Sequence, residues 1–297
     1  MPTFEILAVD STRLAPEDQL WAGLRFEIID RLEMPEQHHS VGDHVHYHRG
    51  VWWKQHNRLF CAPCSTFEMI DPDKSWPKWQ NCIAGHMHLC PPGARSNATY
   101  RAIVNDEVKG YSLHSLGSKD NIRGVRRALD KVEVRIVSLD VLLDEGISVY
   151  ESWHQRVGWG KNRSREGFSY WIRHACSLPK RMSLGAFVEG NLVAFMLPYA
   201  TGNVICTSFI ASHTDSLKFR PNDALFHAVL CIARQTPGIT MADFGPLCGK
   251  PTLNNFKLRF GKVRKFPAYV RINRLLMAFA AKGLRDRYPW LDINTVN

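Results

Sequence analysis

The sequence predicts an α/β (α+β) protein with a mixed β-sheet and flanking helices. From residue 184 onward a hairpin pattern is followed by strands that alternate with single helices, which is typical of a sheet covered by helices. Before residue 100, prolines and glycines interrupt the chain often, which favours short strands over helices. Hydrophobic residues make up 45% of the chain and charged residues 22%, so a large core is expected and global disorder is excluded.

The second half carries the clearest pattern. Segments 184–189 and 192–199 form a predicted hairpin, because Glu-Gly-Asn at the turn supplies residues that tolerate positive φ. The turn at 201–203 leads into a third strand at 204–211. The later segments are predicted as helix, strand, helix, strand and helix, at 221–235, 239–244, 252–260, 265–272 and 273–284.

The first half is less regular. We expect strands at 4–9, 44–47, 99–105 and 132–137, and helices at 118–129, 138–157 and 164–176. Ser118 is a suitable N-cap, and Asp120 favours the positive end of the first of these helices.

The charge of the chain is unevenly distributed. The formal net charge is +10, yet 11 of the 38 basic residues and one of the 28 acidic residues lie between Lys250 and Arg287, leaving 27 of each elsewhere. We call this stretch the basic segment. No apolar run approaches the ~18 residues of a membrane span, and the first residues lack a signal-peptide pattern. Eight cysteines in 297 residues do not make a disulfide scaffold. We therefore expect a cytoplasmic protein with reduced thiols and no membrane span.

Several motifs share one resemblance. They are Asp243-Phe244, Gly249, the run Phe256–Gly261 (FKLRFG), and the sequence Gly190–Ala194 in the predicted hairpin. Together, over about residues 180–269, they resemble the GNAT acyltransferase superfamily and, more narrowly, its Fem-like and cellulose-biosynthesis-associated (CelD-like) branch. Val51-Trp52-Trp53 and Arg123–Arg127 resemble sequences of the same branch more weakly. The resemblance implies two GNAT-like halves, a degenerate one at 1–137 and an acyltransferase half at 138–297.

The implied activity is N-acyl transfer, in which an amine attacks an ester or thioester directly and forms an amide. The resemblance implies no tightly bound cofactor and a donor that is either acyl-CoA or aminoacyl-tRNA. Acyl-CoA enzymes carry a glycine-containing loop whose backbone N–H groups hold the pyrophosphate at a helix N-terminus. Here residues 215–222 read DSLKFRPN and contain no glycine. The sequence therefore favours aminoacyl-tRNA, with an amine-bearing small molecule or peptide as acceptor.

Direct transfer requires a proton acceptor, a stabiliser of the oxyanion and cations for the donor. The candidate catalytic residues are Asp243, Lys257 and His213. Asp243 ends a strand, where ligands commonly bind, or else caps the following turn. Lys257 takes its place from the resemblance, or else is a solvated helix lysine. His213 follows a strand and is a candidate because histidine is the usual side chain for proton exchange at physiological pH, or else it is simply exposed.

The candidate donor-binding residues are basic side chains, each of which also has a structural interpretation. They are Lys218, Arg220, Arg259, Arg123, Arg126 and Arg127. Arg123, Arg126 and Arg127 share one helix face through their spacing, which is either a phosphate-binding face or a solvated charged one.

A cysteine and histidine cluster supports a second hypothesis. Its members are Cys61, Cys64, Cys82, His86, His88 and Cys90, and their types, though not their loose spacing, suit zinc. The alternative is scattered core thiols. Under this second hypothesis the protein is a zinc-stapled, basic nucleic-acid-binding module without catalysis, whose aromatics stack on bases. A histidine group at His44, His46 and His48 shares one strand face and suits either a metal or water.

Overall fold

The computed structural model describes residues 16–40, 44–56, 60–65, 67–158, 163–177 and 180–273. The chain divides into two compact units, each assembled from separate segments. Unit 1 contains residues 1–28, 104–245 and 256–262, and unit 2 contains residues 29–103, 246–255 and 263–297. The division into halves at 1–137 and 138–297 stays a prediction.

The described residues form helices and strands in the predicted α/β class, which is confirmed. The helices are α1 (Pro16–Gln19), α2 (Met34–Ser40), α3 (Lys119–Leu129), α4 (Leu139–Asp144), α5 (Gly146–Val157), α6 (Arg165–Ser177), α7 (Pro221–Gln235) and α8 (Pro251–Lys257). The strands are β1 (Ile28–Ile29), β2 (His44–His48), β3 (Val51–His56), β4 (Phe60–Pro63), β5 (Gly85–Leu89), β6 (Ala98–Asn105), β7 (Glu133–Ile136), β8 (Leu184–Val188), β9 (Asn191–Thr201), β10 (Val204–Ser212), β11 (Met241–Pro246) and β12 (Lys262–Ile272).

Unit 1 contains a mixed sheet in the order β11-β10-β9-β8-β7. Strands β7 to β10 pair antiparallel, and β10 pairs parallel with β11 through the helix α7. Tight turns set the antiparallel register. Glu189 and Gly190 have φ of 51° and 82° at the β8–β9 turn, so both central residues adopt the left-handed conformation that the hairpin requires.

Helices α3, α6 and α7 of unit 1 lie where the sequence predicted them, unlike the one predicted over 138–157. Ser118 caps α3 as predicted, because its hydroxyl accepts a hydrogen bond of 3.1 Å from the Asn121 backbone N–H. The single helix predicted over 138–157 is wrong: the chain forms α4 and α5, which meet at Glu145 and Gly146. The Glu145 carboxylate accepts a 2.7 Å hydrogen bond from the Leu192 backbone N–H, which fixes this junction to the sheet.

Helices cover both faces of the unit 1 sheet. Phe195 and Leu197 of β9 belong to a buried cluster with residues of α4, α5 and α6, such as Ile147 and Phe168. On β11, Phe244 packs against Phe226 of α7 at a ring separation of 5.1 Å. Successive strand residues point to opposite faces, so the neighbour of Phe244 on β11 faces away from α7.

Unit 2 contains a second sheet segment in the order β2-β3-β4-β5-β12-β6. The sequence predicted β2, β6 and β12 within this segment, whereas β3, β4, β5 and the helix α2 were not predicted. The predicted strand at 4–9 and, apart from Asn273, the predicted helix at 273–284 lie outside the described residues.

A pair of buried histidines lies in the core of unit 2. His86 and His88 of β5 stack with their rings 5.7 Å apart, and the edge of Trp53 and the ring of Tyr269 contact both. Burial, with smaller contributions from His88 and Arg271, lowers the pKa of His86 to about 3. Burial lowers the pKa of His88 to about 4. Both rings are therefore neutral in the folded protein.

This pair predicts an acid-sensitive fold. Below pH ~6.5 the unfolded chain protonates both histidines while the folded chain does not, so the free energy of unfolding falls by about 1.4 kcal/mol per pH unit for each. The loss continues until the pH approaches the folded pKa of about 4 for His88. Urea unfolding between pH 8 and 4 measures the slope. We expect His88→Phe to reduce the slope and the exposed His44→Ala to retain it; equal slopes in all three proteins contradict the assignment.

Candidate active site

One row of side chains crosses the unit 1 sheet where β9, β10 and β11 meet. Cys206 of β10 lies opposite Tyr199 of β9 in the antiparallel register and opposite Asp243 of β11 in the parallel register. Directly paired residues project to the same face of a sheet, so the three side chains form a continuous row. Because Asp243 precedes Phe244, this row lies on the face opposite α7.

Strands β10 and β11 separate at this row. Their pairing runs over Val204–Cys206 and Met241–Asp243, and within these two described strands it ends at Cys206 and Asp243. A bulge in β10 between Thr207 and Ile210 accompanies the separation, as expected where a strand bends away from its neighbour. The Thr207 hydroxyl donates a 3.0 Å hydrogen bond to the Asp243 carbonyl oxygen at the apex. The row therefore lies at the apex of an open fork.

Asp243 is a buried carboxyl that titrates near neutrality. Its exposed fraction is 7%, and burial raises its pKa to about 6. A 2.8 Å hydrogen bond from the Gly245 backbone N–H to Oδ1 and the positive charge of Lys257 act in the opposite direction. Such a carboxyl exchanges a proton readily at physiological pH, which suits a general base.

Lys257 reaches the same place from the end of α8. Gly245 has a φ of 88°, and a Cβ atom at this position would lie 3.3 Å from Lys257 Nζ. The ammonium therefore passes over a residue whose missing side chain leaves room for it. The structure thus brings together two of the three predicted catalytic residues, Asp243 and Lys257.

Tyr199 and Arg181 continue the row away from Asp243. The guanidinium carbon of Arg181 lies 5.0 Å from the centre of the Tyr199 ring. Burial raises the pKa of the Tyr199 hydroxyl well above its usual value, with Cys206 and Asp243 adding to the effect and Arg181 opposing it. Burial lowers the pKa of the Arg181 guanidinium.

Phe260, Gly261 and Arg259 of the FKLRFG motif make contacts within unit 1. Phe260 packs against Phe226 of α7 at 5.3 Å between ring centres. A Cβ atom on Gly261 would lie 2.6 Å from the Val104 carbonyl oxygen, so a close backbone contact requires glycine there. Arg259 makes a 2.8 Å ion pair with the buried carboxylate of Asp223. Donor binding by Arg259 stays a prediction.

The loop that precedes α7 forms a short 3-10 helix over Thr214–Phe219. Arg220 Nε pairs with Asp223 at 3.1 Å, and its guanidinium packs over Gly124 of α3. The Lys218 ammonium lies 5.1 Å from the centre of the Phe219 ring. His213 Nδ1 lies 4.0 Å from a carboxylate oxygen of Asp215.

His213 is not brought to the row. The stretch of strand from Cys206 to His213 spans about 20 Å. Its catalytic role, like the donor-binding roles of Lys218 and Arg220, stays a prediction.

The predicted arginine face of α3 is exposed. Arg123 pairs with Asp120 at 3.2 Å, and Arg126 pairs with Glu17 at 2.8 Å. Arg127 is exposed on the same helix. A role of these three arginines in donor binding stays a prediction.

A cavity of about 270 Å³ lies in another part of unit 1. Asp106 and Glu107 line it together with Arg259 and Lys262, and Lys262 pairs with both acids at 2.8 Å and 3.0 Å. Its charges are balanced and no member of the row lines it, so it adds nothing to the row's chemistry.

The cysteine and histidine cluster does not form a metal site in the described part of the chain. Among those residues, no group of three His, Cys, Asp or Glu side chains could hold a metal ion. Cys61 donates to the Asn81 carbonyl oxygen at 3.0 Å, and burial raises the pKa of the Cys61 thiol. Burial also raises the pKa of Cys90, to about 11. Protonated thiols of this kind are poor zinc ligands.

Tyr199, Cys206, Arg181 and Gly245 were not identified from the sequence. The sequence did contain a signal that Tyr199 and Cys206 are neighbours, because the turn at Gly202 places Cys206 opposite Tyr199. No local turn fixes the position of β11 beside β10, because a helical crossover joins parallel strands. The place of Asp243 in the row was therefore visible only in the structure.

Comparisons with known proteins concern the domain and the fold. Residues 118–257 match the model of the acetyltransferase (GNAT) domain. The fold is similar to that of FemX, with a TM-score of 0.61 at 12% identity over 89% of this chain and 97% of that one. It is also similar to the C-terminal domain of a putative lysylphosphatidylglycerol synthetase from Agrobacterium fabrum, with a TM-score of 0.59 at 15% identity over 86% and 97% of the two chains.

A third structure, L-PGS from Bacillus licheniformis, gives a TM-score of 0.51 at 14% identity over 90% of this chain and 96% of that one. A search of curated protein sequences finds no significant match. No helix among the described residues is long and apolar enough to cross a membrane.

The fold and the matched domain define an acyltransferase. Residues 118–257 match the GNAT acyltransferase domain, and the fold of the chain is similar to that of FemX.

Proposed function

We propose that unit 1 joins an acyl group to an amine and that the reaction occurs at the row Tyr199–Cys206–Asp243. The observation that carries this proposal is that the Lys257 ammonium lies over Gly245, close enough to lower the pKa of the buried Asp243 carboxyl, which is about 6, at the apex of the fork. A base and a cation at one point are what direct acyl transfer needs.

In the proposed reaction, the lone pair of the amine attacks the carbonyl carbon of the donor. Asp243 accepts the proton that the nitrogen loses as the new C–N bond forms. Lys257 stabilises the negative charge that develops on the carbonyl oxygen. When the bond between the carbonyl carbon and the carrier breaks, the carrier takes up a proton as a free hydroxyl or thiol, and Asp243 returns to its carboxylate form.

Tyr199 has a different place in this reaction. Its high pKa keeps the hydroxyl protonated, so it donates a hydrogen bond and does not act as a base. Backbone groups on β10 and β11 beyond the last paired residues do not bond to each other across the fork, so an extended donor or acceptor can pair with them.

We propose aminoacyl-tRNA as the donor. Backbone N–H groups of the loop before α7 are used within the protein: Ser216 bonds to the His213 carbonyl at 3.2 Å and Arg220 to the Leu217 carbonyl at 2.9 Å. The Thr214 N–H bonds to the Ser152 hydroxyl at 3.0 Å. This loop therefore offers few free N–H groups to a CoA pyrophosphate, whereas a tRNA backbone is bound mainly by basic side chains. A tRNA donor places the reaction in the cytoplasm.

Two structural relatives support an aminoacyl donor by their names: the C-terminal domain of a putative lysylphosphatidylglycerol synthetase, and L-PGS. For this chain we propose an amine on a small molecule or a peptide as the acceptor.

A donor screen tests this choice. The purified protein is incubated with an amine acceptor and either a charged tRNA pool, acetyl-CoA or a longer acyl-CoA, and products are identified by mass. We expect the mass of the acceptor to increase by an aminoacyl group with charged tRNA, and the yield to fall steeply as salt is raised. Transfer from acyl-CoA alone contradicts the tRNA proposal and retains the acyltransferase.

A further inference from the structure

Lys257 lies in a hydrogen-bonded turn over residues 256–260 of unit 1. The Arg259 backbone N–H donates to the Phe256 carbonyl oxygen at 3.2 Å, and the Phe260 N–H donates to the Lys257 carbonyl oxygen at 3.0 Å. A lysine side chain is long and flexible. The place of its ammonium over Gly245 therefore depends on how firmly this turn is attached to the rest of unit 1.

Two kinds of contact attach the turn to α7. Phe256 and Phe260 both pack against Phe226, with ring centres 4.9 Å and 5.3 Å apart. Arg259 Nη1 makes the 2.8 Å ion pair with Asp223 in the first turn of α7, where the carboxylate side chain is only 5% exposed. Apolar packing is non-directional, whereas a charge-assisted hydrogen bond fixes both distance and direction. The ion pair is therefore the contact that sets where the turn lies.

The Asp223 carboxylate is itself held in place. Its Oδ2 accepts a 3.1 Å hydrogen bond from Arg220 Nε, while its Oδ1 pairs with Arg259. The Arg259 guanidinium also lies over the Phe256 ring, with its central carbon 4.7 Å from the ring centre. Arg259 thus joins a fixed carboxylate on α7 to the residue directly before Lys257.

We propose that Arg259 is a positioning residue, which through its ion pair with Asp223 holds the turn that carries Lys257 and so keeps the Lys257 ammonium beside Asp243. This inference rests on the proposed function, because it gives Arg259 a part in the same site. In this role Arg259 touches no substrate and acts only through Lys257. Donor binding by Arg259 is the alternative that the test excludes.

The pKa of Asp243 reports the place of the ammonium without any substrate. Lys257 lowers this pKa, which is about 6, so an ammonium that moves away raises it. Tyr199, Cys206 and the Gly245 N–H also adjoin Asp243 and are unchanged in the variants. Protein labelled with ¹³C at the aspartate carboxyl carbons is titrated by NMR, and Asp243→Asn assigns the resonance.

We expect Lys257→Met to raise the pKa of Asp243 by about 1 or more, the usual effect of losing a nearby opposite charge, and Arg259→Gln to raise it by at least half as much. Adding Arg259→Gln to Lys257→Met should raise it no further, because no ammonium remains to be displaced. Lys262→Met is the matched control, since Lys262 of the same basic segment also loses ion pairs, those with Asp106 and Glu107, and should leave the pKa unchanged.

Arg259→Gln is expected to fold, because Asp223 keeps its bond to Arg220 and its charge is not left unpaired. Thermal unfolding checks this. If the variant is unfolded, Arg259→Lys is titrated instead, and we expect a smaller increase, because lysine keeps the charge but not the geometry of the guanidinium. An unchanged pKa in the folded Arg259 variant, or in Lys257→Met, overturns the inference, as does an additive increase in the double variant.

Kinetics separate positioning from donor binding. As a positioning residue, Arg259 contributes to the transition state only, so Arg259→Gln should lower kcat by about 10-fold or more and change KM for the donor little. A raised KM with an unchanged pKa of Asp243 overturns the inference and leaves the proposed function intact. The expected pKa increases without transfer from any donor refute the proposed function and leave the positioning of Lys257 intact.

Discussion

Replacing Lys257 with methionine is expected to lower kcat for acyl transfer by about 10²–10³, the usual cost of losing one stabilising group at an oxyanion. Methionine keeps most of the length and apolar volume of the lysine side chain but removes the charge above Gly245. Because that charge acts on the oxyanion of the transition state, KM for both substrates should change little. Steady-state rates with a saturating donor measure the effect.

The matched control is Lys265→Met. Lys265 lies in the same basic segment and is exposed on β12, so its replacement lowers the net charge equally and leaves every residue of the fork unchanged. A similar loss of kcat in both variants would mean that the basic segment acts through its overall charge. Normal turnover by a folded Lys257→Met protein would remove Lys257 from the mechanism.

Replacing Asp243 with asparagine is expected to lower kcat by about 10²–10⁴, the contribution that general bases commonly make. Asparagine retains an oxygen that accepts the hydrogen bond from the Gly245 N–H, so the loss reports the missing base. In the wild type, the rate should rise with pH through an apparent pKa of about 6, because the ionised carboxylate is the active form. In Asp243→Asn this dependence should disappear.

Stability gives the control for this variant. The pKa of Asp243 is raised from 3.8 to about 6 in the folded state, so above pH 6 the buried carboxylate carries a charge that disfavours the folded form. Asparagine removes that charge, and its melting temperature at pH 8 should not fall. A lower melting temperature for Asp243→Asn would mean that unfolding accounts for the lost activity. A wild-type rate that does not change between pH 5 and 8 would show that Asp243 is not the base.

Local patterns predicted the parts of the fold that depend on local chemistry. The Glu189-Gly190 turn, the Ser118 cap and the proline at the start of α7 each follow from a few neighbouring residues. Three strands of unit 2, β3, β4 and β5, escaped prediction because turn residues lie between them and buried histidines occupy β5 where apolar residues are expected. The break between α4 and α5 escaped because Leu192, far along the chain, bonds to Glu145.

The candidate site was predictable only where its residues stand in sequence motifs. Asp243 and Lys257 stood in motifs, and the structure brings them together through Gly245. Arg259 stands in the same motif, yet it pairs with Asp223, because residues two apart on the chain point in different directions. Arg181 lies outside every motif, and only the sheet register connects it to the row.

Amide formation at the row is tested by the identity of the bond in the product. Wild-type protein, a charged tRNA pool and an amine acceptor are incubated together, and the product is analysed by mass spectrometry before and after mild alkali. We expect a product that carries an added aminoacyl group, resists alkali as an amide does, and is formed far more slowly by Lys257→Met and Asp243→Asn. An alkali-labile ester, or an amide formed at the wild-type rate by both variants, would contradict amide formation at this row.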